Sequence, residues 1–129
     1  MNISKFTQKS VQAVQDLEKV AYEYGNQEVE QEHLLYALLT QEDSLILKLI
    51  EKMDINKEYF INVVKKALDA KVKVSGGDLR FGQYLNKSLV NAENEAKAMG
   101  DEYVSVEHLF LSLMNSVSPE KDFSRHFLP

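Results

Sequence analysis

The side chains best suited to chemistry near neutral pH are three histidines, His33, His108 and His126. Two of them directly follow a glutamate, as Glu32-His33 and Glu107-His108. A histidine beside a carboxylate can ligate a metal or move a proton. A metal site needs several ligands at a spacing that a helix or turn brings to one point. No His-x-x-x-His or comparable cluster is present. The carboxylates are numerous, but no spacing forces two of them together for acid–base work. Gly77 to Gly82 has the glycine spacing of a phosphate-binding loop, yet Gln83 stands where that loop needs lysine. The chain has no cysteine, which excludes disulfides, thiol nucleophiles and zinc fingers and fits a reducing, cytoplasmic setting. The residues therefore predict no catalytic site, no metal and no cofactor in this chain.

The two Glu-His pairs occupy matching places in an internal repeat. Residues 6–38 and 81–113 align without a gap at a constant offset of 75 residues, from Phe6 to Phe81. The pairs Gln8/Gln83, Glu18/Glu93, Ala21/Ala96, Gly25/Gly100, Val29/Val104, Leu34/Leu109 and Leu38/Leu113 follow at the same offset. A residue that recurs at the equivalent place in both copies serves the repeat unit first. By that reading the histidines and glutamates shape a helix start. A carboxylate in the first turn meets the positive end of the helix dipole, a gain of roughly 0.3–1 kcal/mol.

The elements that carry these residues are helices. Ser10, Val14, Leu17, Ala21 and Tyr24 step by four or three, and Leu85, Leu89, Ala92, Ala96 and Met99 step identically, as one face of an amphipathic helix does. Thr7 is placed to cap the first of these helices, with Phe6 and Val11 as its hydrophobic staple; Gly82 takes the cap position in the second copy. Gly25 and Gly100 are expected to close both helices in the left-handed conformation. The next helices are predicted to begin near Glu30 and Ser105, with Val29/Leu34 and Val104/Leu109 as staples. Leu34, Leu35, Leu38 and Leu39 form a buried stripe, matched by Leu109, Phe110, Leu113 and Met114. A third helix is expected over 44–53 with Leu45, Leu49, Ile50 and Met53 inward. A fourth, capped by Asn56, should turn Tyr59, Phe60, Val63, Val64, Ala67 and Leu68 inward. Ser75-Gly76-Gly77-Asp78 is the clearest loop signal.

These elements predict an all-α domain of two repeats related by a pseudo-twofold rotation. The single domain covers 1–129, with repeat one at 1–70, a linker at 71–80 and an incomplete repeat two at 81–129. Pro119 is placed at the first position of a short helix over 121–128, and the equivalent of the fourth helix would fall beyond Pro129. A missing fourth helix would leave apolar surface uncovered near Leu113, Phe123 and Phe127.

At 129 residues the chain can bury a sizeable core, and its apolar share of 44% suits a globular protein. The formal charge of −5 argues against a nonspecific grip on nucleic acid or on an anionic membrane. The tyrosines are not interleaved with a basic patch, so no stacking platform for single strands is expected. Glu28, Glu30 and Glu32 read as a solvated helix start. Met1 to Phe6 lacks the apolar run of a signal peptide, and no stretch approaches a membrane span.

The phrases Phe6-Thr7-Gln8-Lys9, Glu23-Tyr24-Gly25-Asn26-Gln27-Glu28-Val29-Glu30 and Glu32-His33-Leu34-Leu35-Tyr36-Ala37-Leu38-Leu39 resemble the Clp amino-terminal repeat. Gly100-Asp101-Glu102-Tyr103-Val104-Ser105-Val106-Glu107-His108-Leu109-Phe110 resembles its second copy, and the likeness runs to about Met114. Lys73-Val74-Ser75-Gly76-Gly77 and Tyr103 to Leu109 are similar to the ClpB branch, the ATP-driven disaggregases. The ClpC branch typically carries Gly-Thr-Glu-His in both repeats, where this chain has Glu30-Gln31-Glu32-His33 and Ser105-Val106-Glu107-His108.

The resemblance implies a substrate-binding module and not an enzyme. Such a module weakly captures unfolded or aggregated polypeptide for an ATPase ring. Its ATP and magnesium belong to downstream AAA+ modules, and its wider partner is a DnaK-type chaperone system. The resemblance further implies a monomeric isolated domain and a hexameric full-length protein. Docking of a folded adaptor, as in ClpC- or ClpA-type unfoldases, is the alternative. Carried onto this chain, Thr7, Asp101 and Glu107 would handle substrate, with His108 beside them, and Leu89 and its surroundings would form an apolar groove.

Overall fold

The computed structural model describes residues 3–74 and 76–115. The expected helix at 121–128, with Phe123, His126 and Phe127, lies outside them. A short 3-10 turn (Ile3–Lys5) leads into α1 (Gln8–Glu23), then β1 (Glu28–Val29), α2 (Gln31–Leu39), α3 (Leu45–Lys52), α4 (Lys57–Asp69), β2 (Arg80–Phe81), α5 (Gln83–Ala98) and α6 (Val106–Asn115). The fold is all-α apart from the two-residue strands. α1 and α5 begin and end at the 75-residue offset read from the sequence, and α6 starts at that offset from α2.

Local chemistry sets the helix ends. Thr7 Oγ1 accepts from Ser10 N at 3.2 Å, the expected cap of α1. Gly25 and Gly100 have φ of +71° and +74° and close α1 and α5 alike. Asn26 N bonds Ala21 O at 2.8 Å and Gly25 N bonds Tyr22 O at 3.1 Å. Asp101 N to Ala96 O at 2.9 Å and Gly100 N to Lys97 O at 3.1 Å repeat the pattern, a Schellman motif in each copy. Ser44 caps α3 by accepting from Leu47 N while donating to Leu38 O, and Asn56 Oδ1 caps α4 at Tyr59 N.

The two copies are laced together reciprocally. Phe6 bridges Val104 in parallel, and Phe81 pairs in parallel with Val29. Phe81 is the equivalent of Phe6 and Val104 that of Val29, so each copy lends its pre-helix residue to the other copy's turn. Thr7 N donates to Val104 O at 3.0 Å, and Gly82 N donates to Val29 O at 2.8 Å. Ser10 Oγ adds a buried bond to Val104 O. Between these two seams lies one core of Leu17, Ala21, Leu34, Leu35, Leu38, Ile46, Ile50, Phe60, Leu68, Leu85, Leu89 and Leu109. Val29, Leu34, Val104 and Leu109 are all buried, as the staples require.

The structure corrects four sequence expectations. α3 turns Ile46 and Ile50 inward, whereas Leu45, Leu49 and Met53 are 48%, 36% and 47% exposed. The run Leu45-Ile46-Leu47 is apolar on every side, so periodicity could not choose its face; burial of Ile46 and Ile50 in the core did. Tyr59 and Met99 stand out in solvent, each at the edge of its predicted stripe. The expected solvated helix start is half sealed: Glu32 is buried and paired with Lys71 at 3.0 Å. Among the described residues no helix is long and apolar enough to cross a membrane.

Candidate functional site

The sequence-predicted site residues separate into three groups. Thr7 and Glu107 come together. With Gln8, Lys9, Gln41, Leu45, Ser105 and Val106 they line a cleft of about 410 Å³ between the start of α1, the start of α3 and the start of α6. Leu45 supplies the exposed apolar surface, Val106 lies buried beneath the lining, and Glu107 stands exposed at its edge. Leu45 is the residue that sequence reasoning assigned to the core and so missed. Two polar contacts hold the wall beside it: Gln41 Nε2 donates to Lys9 O at 2.9 Å, and Lys9 Nζ donates to Glu42 O at 2.7 Å.

His108 and Asp101 form the second group, one turn away. Ser105 N donates to His108 Nδ1 at 2.9 Å, so Nδ1 is the bare nitrogen and Nε2 carries the proton. Nε2 then donates to Asp101 Oδ2 at 2.8 Å. The ring ties the turn after α5 to the first residue before α6, and it thereby fixes Ser105 in the cleft wall. The first copy repeats this arrangement: Glu30 N donates to His33 Nδ1 at 2.8 Å, and His33 Nε2 faces Asn26 Oδ1 at 3.0 Å. Both histidines stand at the third helical position and accept the backbone N–H of the residue before the helix, the role glutamate or glutamine usually takes in a capping box; in α2 the box is complete.

Leu89 forms the third group by itself. It is 1% exposed in the core of α5 and cannot wall a groove in this state. Its helical phase explains the placement, since Leu85, Leu89, Ala92 and Ala96 are one continuous buried face. Among the described residues no group of three or more His, Asp or Glu side chains could hold a metal ion.

The two copies differ in what covers them. Lys71 Nζ lies 2.5 Å from Glu30 Oε2 and 3.0 Å from Glu32 Oε2. Asn26 Nδ2 donates to Val72 O at 3.1 Å, and Val74 N donates to Gly25 O at 2.9 Å. The segment from Lys71 to Val74 is thus strapped over the turn between α1 and α2. Burial, and then the charge of Lys71, hold the His33 pKa down at about 4.

Comparison with known proteins identifies this arrangement. The family model described as the Clp repeat (R) N-terminal domain matches residues 5–123. The chain belongs to that family. Chaperone protein ClpB of Nitratidesulfovibrio vulgaris (strain Hildenborough) is 40% identical over 119 residues, covering 88% of this chain and 14% of that protein. Chaperone protein ClpB of Clostridium tetani is 40% identical over 123 residues, covering 92% of this chain and 14% of that protein. This Clp N-domain chain thus spans about one seventh of the length of the curated relatives it matches. The Hsp104 N-terminal domain of Candida albicans superimposes with a TM-score of 0.84 at 19% identity, over 98% of this chain and 84% of that one. The ClpV1 N-terminal domain of Escherichia coli gives 0.83 at 18%, over 98% and 79%. Those two likenesses establish the Clp N-domain fold.

Proposed function

We propose that this Clp N-domain is the substrate-binding module of a ClpB-type disaggregase. In this reading it captures unfolded or aggregated polypeptide weakly and hands it to an ATPase ring. The observation that supports it most is the cleft containing Leu45 and Val106, rimmed by the polar residues Thr7, Ser105 and Glu107. Apolar surface gains roughly 25 cal/mol per Å² on leaving water and asks for no particular residue order in the ligand. A shallow cleft of this kind suits fast, sequence-tolerant capture, and tight binding would hinder transfer.

Thr7 and Glu107 frame the cleft in this proposal. Asp101 and His108 act by holding Ser105 in its wall, and Leu89 supports α5 from inside. ATP, magnesium, the hexamer and a DnaK-type partner belong to the full-length protein. The test is an NMR titration of the chain with a reduced, carboxymethylated and permanently unfolded protein. Signals of Thr7, Leu45 and Glu107 are expected to move, and Leu45→Asp is expected to weaken binding several-fold while the fold stays intact. An unfolded protein that moves none of these signals at high concentration overturns the reading.

A further inference from the structure

The strap over the first copy is an internal ligand, and among the described residues no such segment covers the equivalent face of the second copy. At the 75-residue offset, Tyr24, Gly25, Asn26, Gln27 and Glu32 correspond to Met99, Gly100, Asp101, Glu102 and Glu107. On the covered face Asn26 is 3% exposed and Glu32 4% exposed. On the open face Asp101, Glu102 and Glu107 are all exposed, as are Met99 and Tyr103. Among the described residues no lysine or arginine forms an ion pair with those three acids, whereas Lys71 serves both Glu30 and Glu32.

The chemistry of the two faces differs: Glu28 and Glu30, the latter a partner of Lys71, are replaced by Tyr103 and Ser105, while two amides are replaced by acids nearer the glycine turn. Asn26 and Gln27 are amides; their equivalents Asp101 and Glu102 are carboxylates. The Asn26 amide donates to a backbone carbonyl of the strap. A carboxylate can only accept, so an occupant of the open face must present donors there. Asp101 already accepts from His108 through Oδ2, which leaves Oδ1 for that purpose. The carbonyl of Gly25 takes a backbone N–H from Val74, and the covered face also holds Lys73 Nζ 5.2 Å from the Tyr24 ring centre.

We propose that the open face, Met99 to Glu107, binds a lysine-rich segment of another polypeptide in the manner in which Gly25 to Glu32 holds the chain's own Lys71–Val74. Backbone N–H groups of the ligand bond the Gly100 turn, lysines meet Asp101, Glu102 and Glu107, and intervening apolar residues lie on Met99 and Tyr103. The covered face is closed in cis, because a tethered strap competes at a high effective concentration. The proposal rests on the functional reading above only in taking polypeptide as the ligand.

The test titrates the chain by NMR with the peptides Lys-Val-Lys-Val-Lys, Gln-Val-Gln-Val-Gln and Glu-Val-Glu-Val-Glu. The lysine peptide is expected to move Gly100, Asp101 and Glu107, saturating at roughly millimolar concentration. The glutamate peptide should move none of them. The double variant Asp101→Asn with Glu102→Gln restores the covered copy's residues at exposed positions. It is expected to weaken the lysine peptide roughly fivefold, as for two partly exposed ion pairs. Equal shifts from lysine and glutamine peptides overturn the proposal. So does movement confined to Gly25–Glu32 or to the Leu45 cleft. An unfolded protein that moves Leu45 while the lysine peptide leaves Gly100 still would sink this inference and keep the functional reading. The converse pattern would do the reverse.

Discussion

His33 Nε2 lies 3.0 Å from Asn26 Oδ1, while the other nitrogen of the ring accepts the Glu30 backbone N–H. Both bonds fit only the neutral ring. Protonation would place an N–H against the Glu30 N–H, in a site with no exposed surface and with Lys71 close by. The folded chain therefore keeps His33 neutral down to about pH 4, against an ordinary value of 6.5. Between those values the unfolded chain holds more protons, so stability rises with pH through that window. The contribution is fully present above pH 6.5 and is lost as pH falls through 4. It amounts to roughly 3 kcal/mol. Urea unfolding at pH 7.5 and 4.5 should show this loss, and His33→Gln, which keeps a capping-box residue, should flatten much of it.

Lys71 is expected to be one of the costliest surface-side positions to truncate. Its partner Glu32 is 5% exposed at the side chain. Lys71→Ala removes the ion-pair partner of that buried carboxylate and releases the strap, at a cost of about 3–5 kcal/mol. Denaturant unfolding reads the cost. The same variant should raise the His33 pKa, because a neighbouring positive charge is gone, and the imidazole proton shifts in an NMR pH series report it.

Two glycines should respond in the opposite order to their crowding. A Cβ on Gly82 would stand 2.8 Å from Glu28 Oε1 and 3.4 Å from Val29 O, but the nearer atom is the end of an exposed, flexible side chain and φ is −69°. Gly82→Ala should cost no more than about 1 kcal/mol, mainly through a poorer cap. Gly100 has nothing within 4 Å of its Cβ position, yet its φ is +74°. Gly100→Ala should cost about 1–2 kcal/mol and lower the melting temperature further than Gly82→Ala does.

Leu89 and Thr7 separate support from contact. Leu89→Ala empties a filled core position and should cost about 2–5 kcal/mol, visible as a large fall in melting temperature. Thr7→Ala loses a cap worth about 1 kcal/mol, and Thr7→Ser should restore it. If Thr7 also touches the captured chain, Thr7→Ser will recover stability more fully than binding, which titration with the unfolded protein measures.

Much of the fold was legible because its signals are local. Thr7, Asn56, Gly25 and Gly100 mark helix ends by their own side-chain and backbone chemistry. The shared offset placed α5 and α6 once α1 and α2 were read. His33 and His108 could be set aside as metal ligands because recurrence in both copies argued for a shared structural duty, and both accept the backbone N–H of the residue before their helix. Of the implied site residues, Thr7 and Glu107 meet in one cleft, while Leu89 lies inside the protein.

The amino-acid order by itself determined the helical repeat, its caps and the acidic, cysteine-free character of the chain, since these depend on neighbours a few residues apart. Only the tertiary structure decided which face of α3 is wet, and so put Leu45 in the cleft. It also decided that Phe6 pairs with Val104 and Phe81 with Val29, and that Lys71 closes one copy and not the other. Those outcomes are competitions between residues tens of positions apart, settled by burial, hydrogen bonding and charge pairing that no local periodicity encodes.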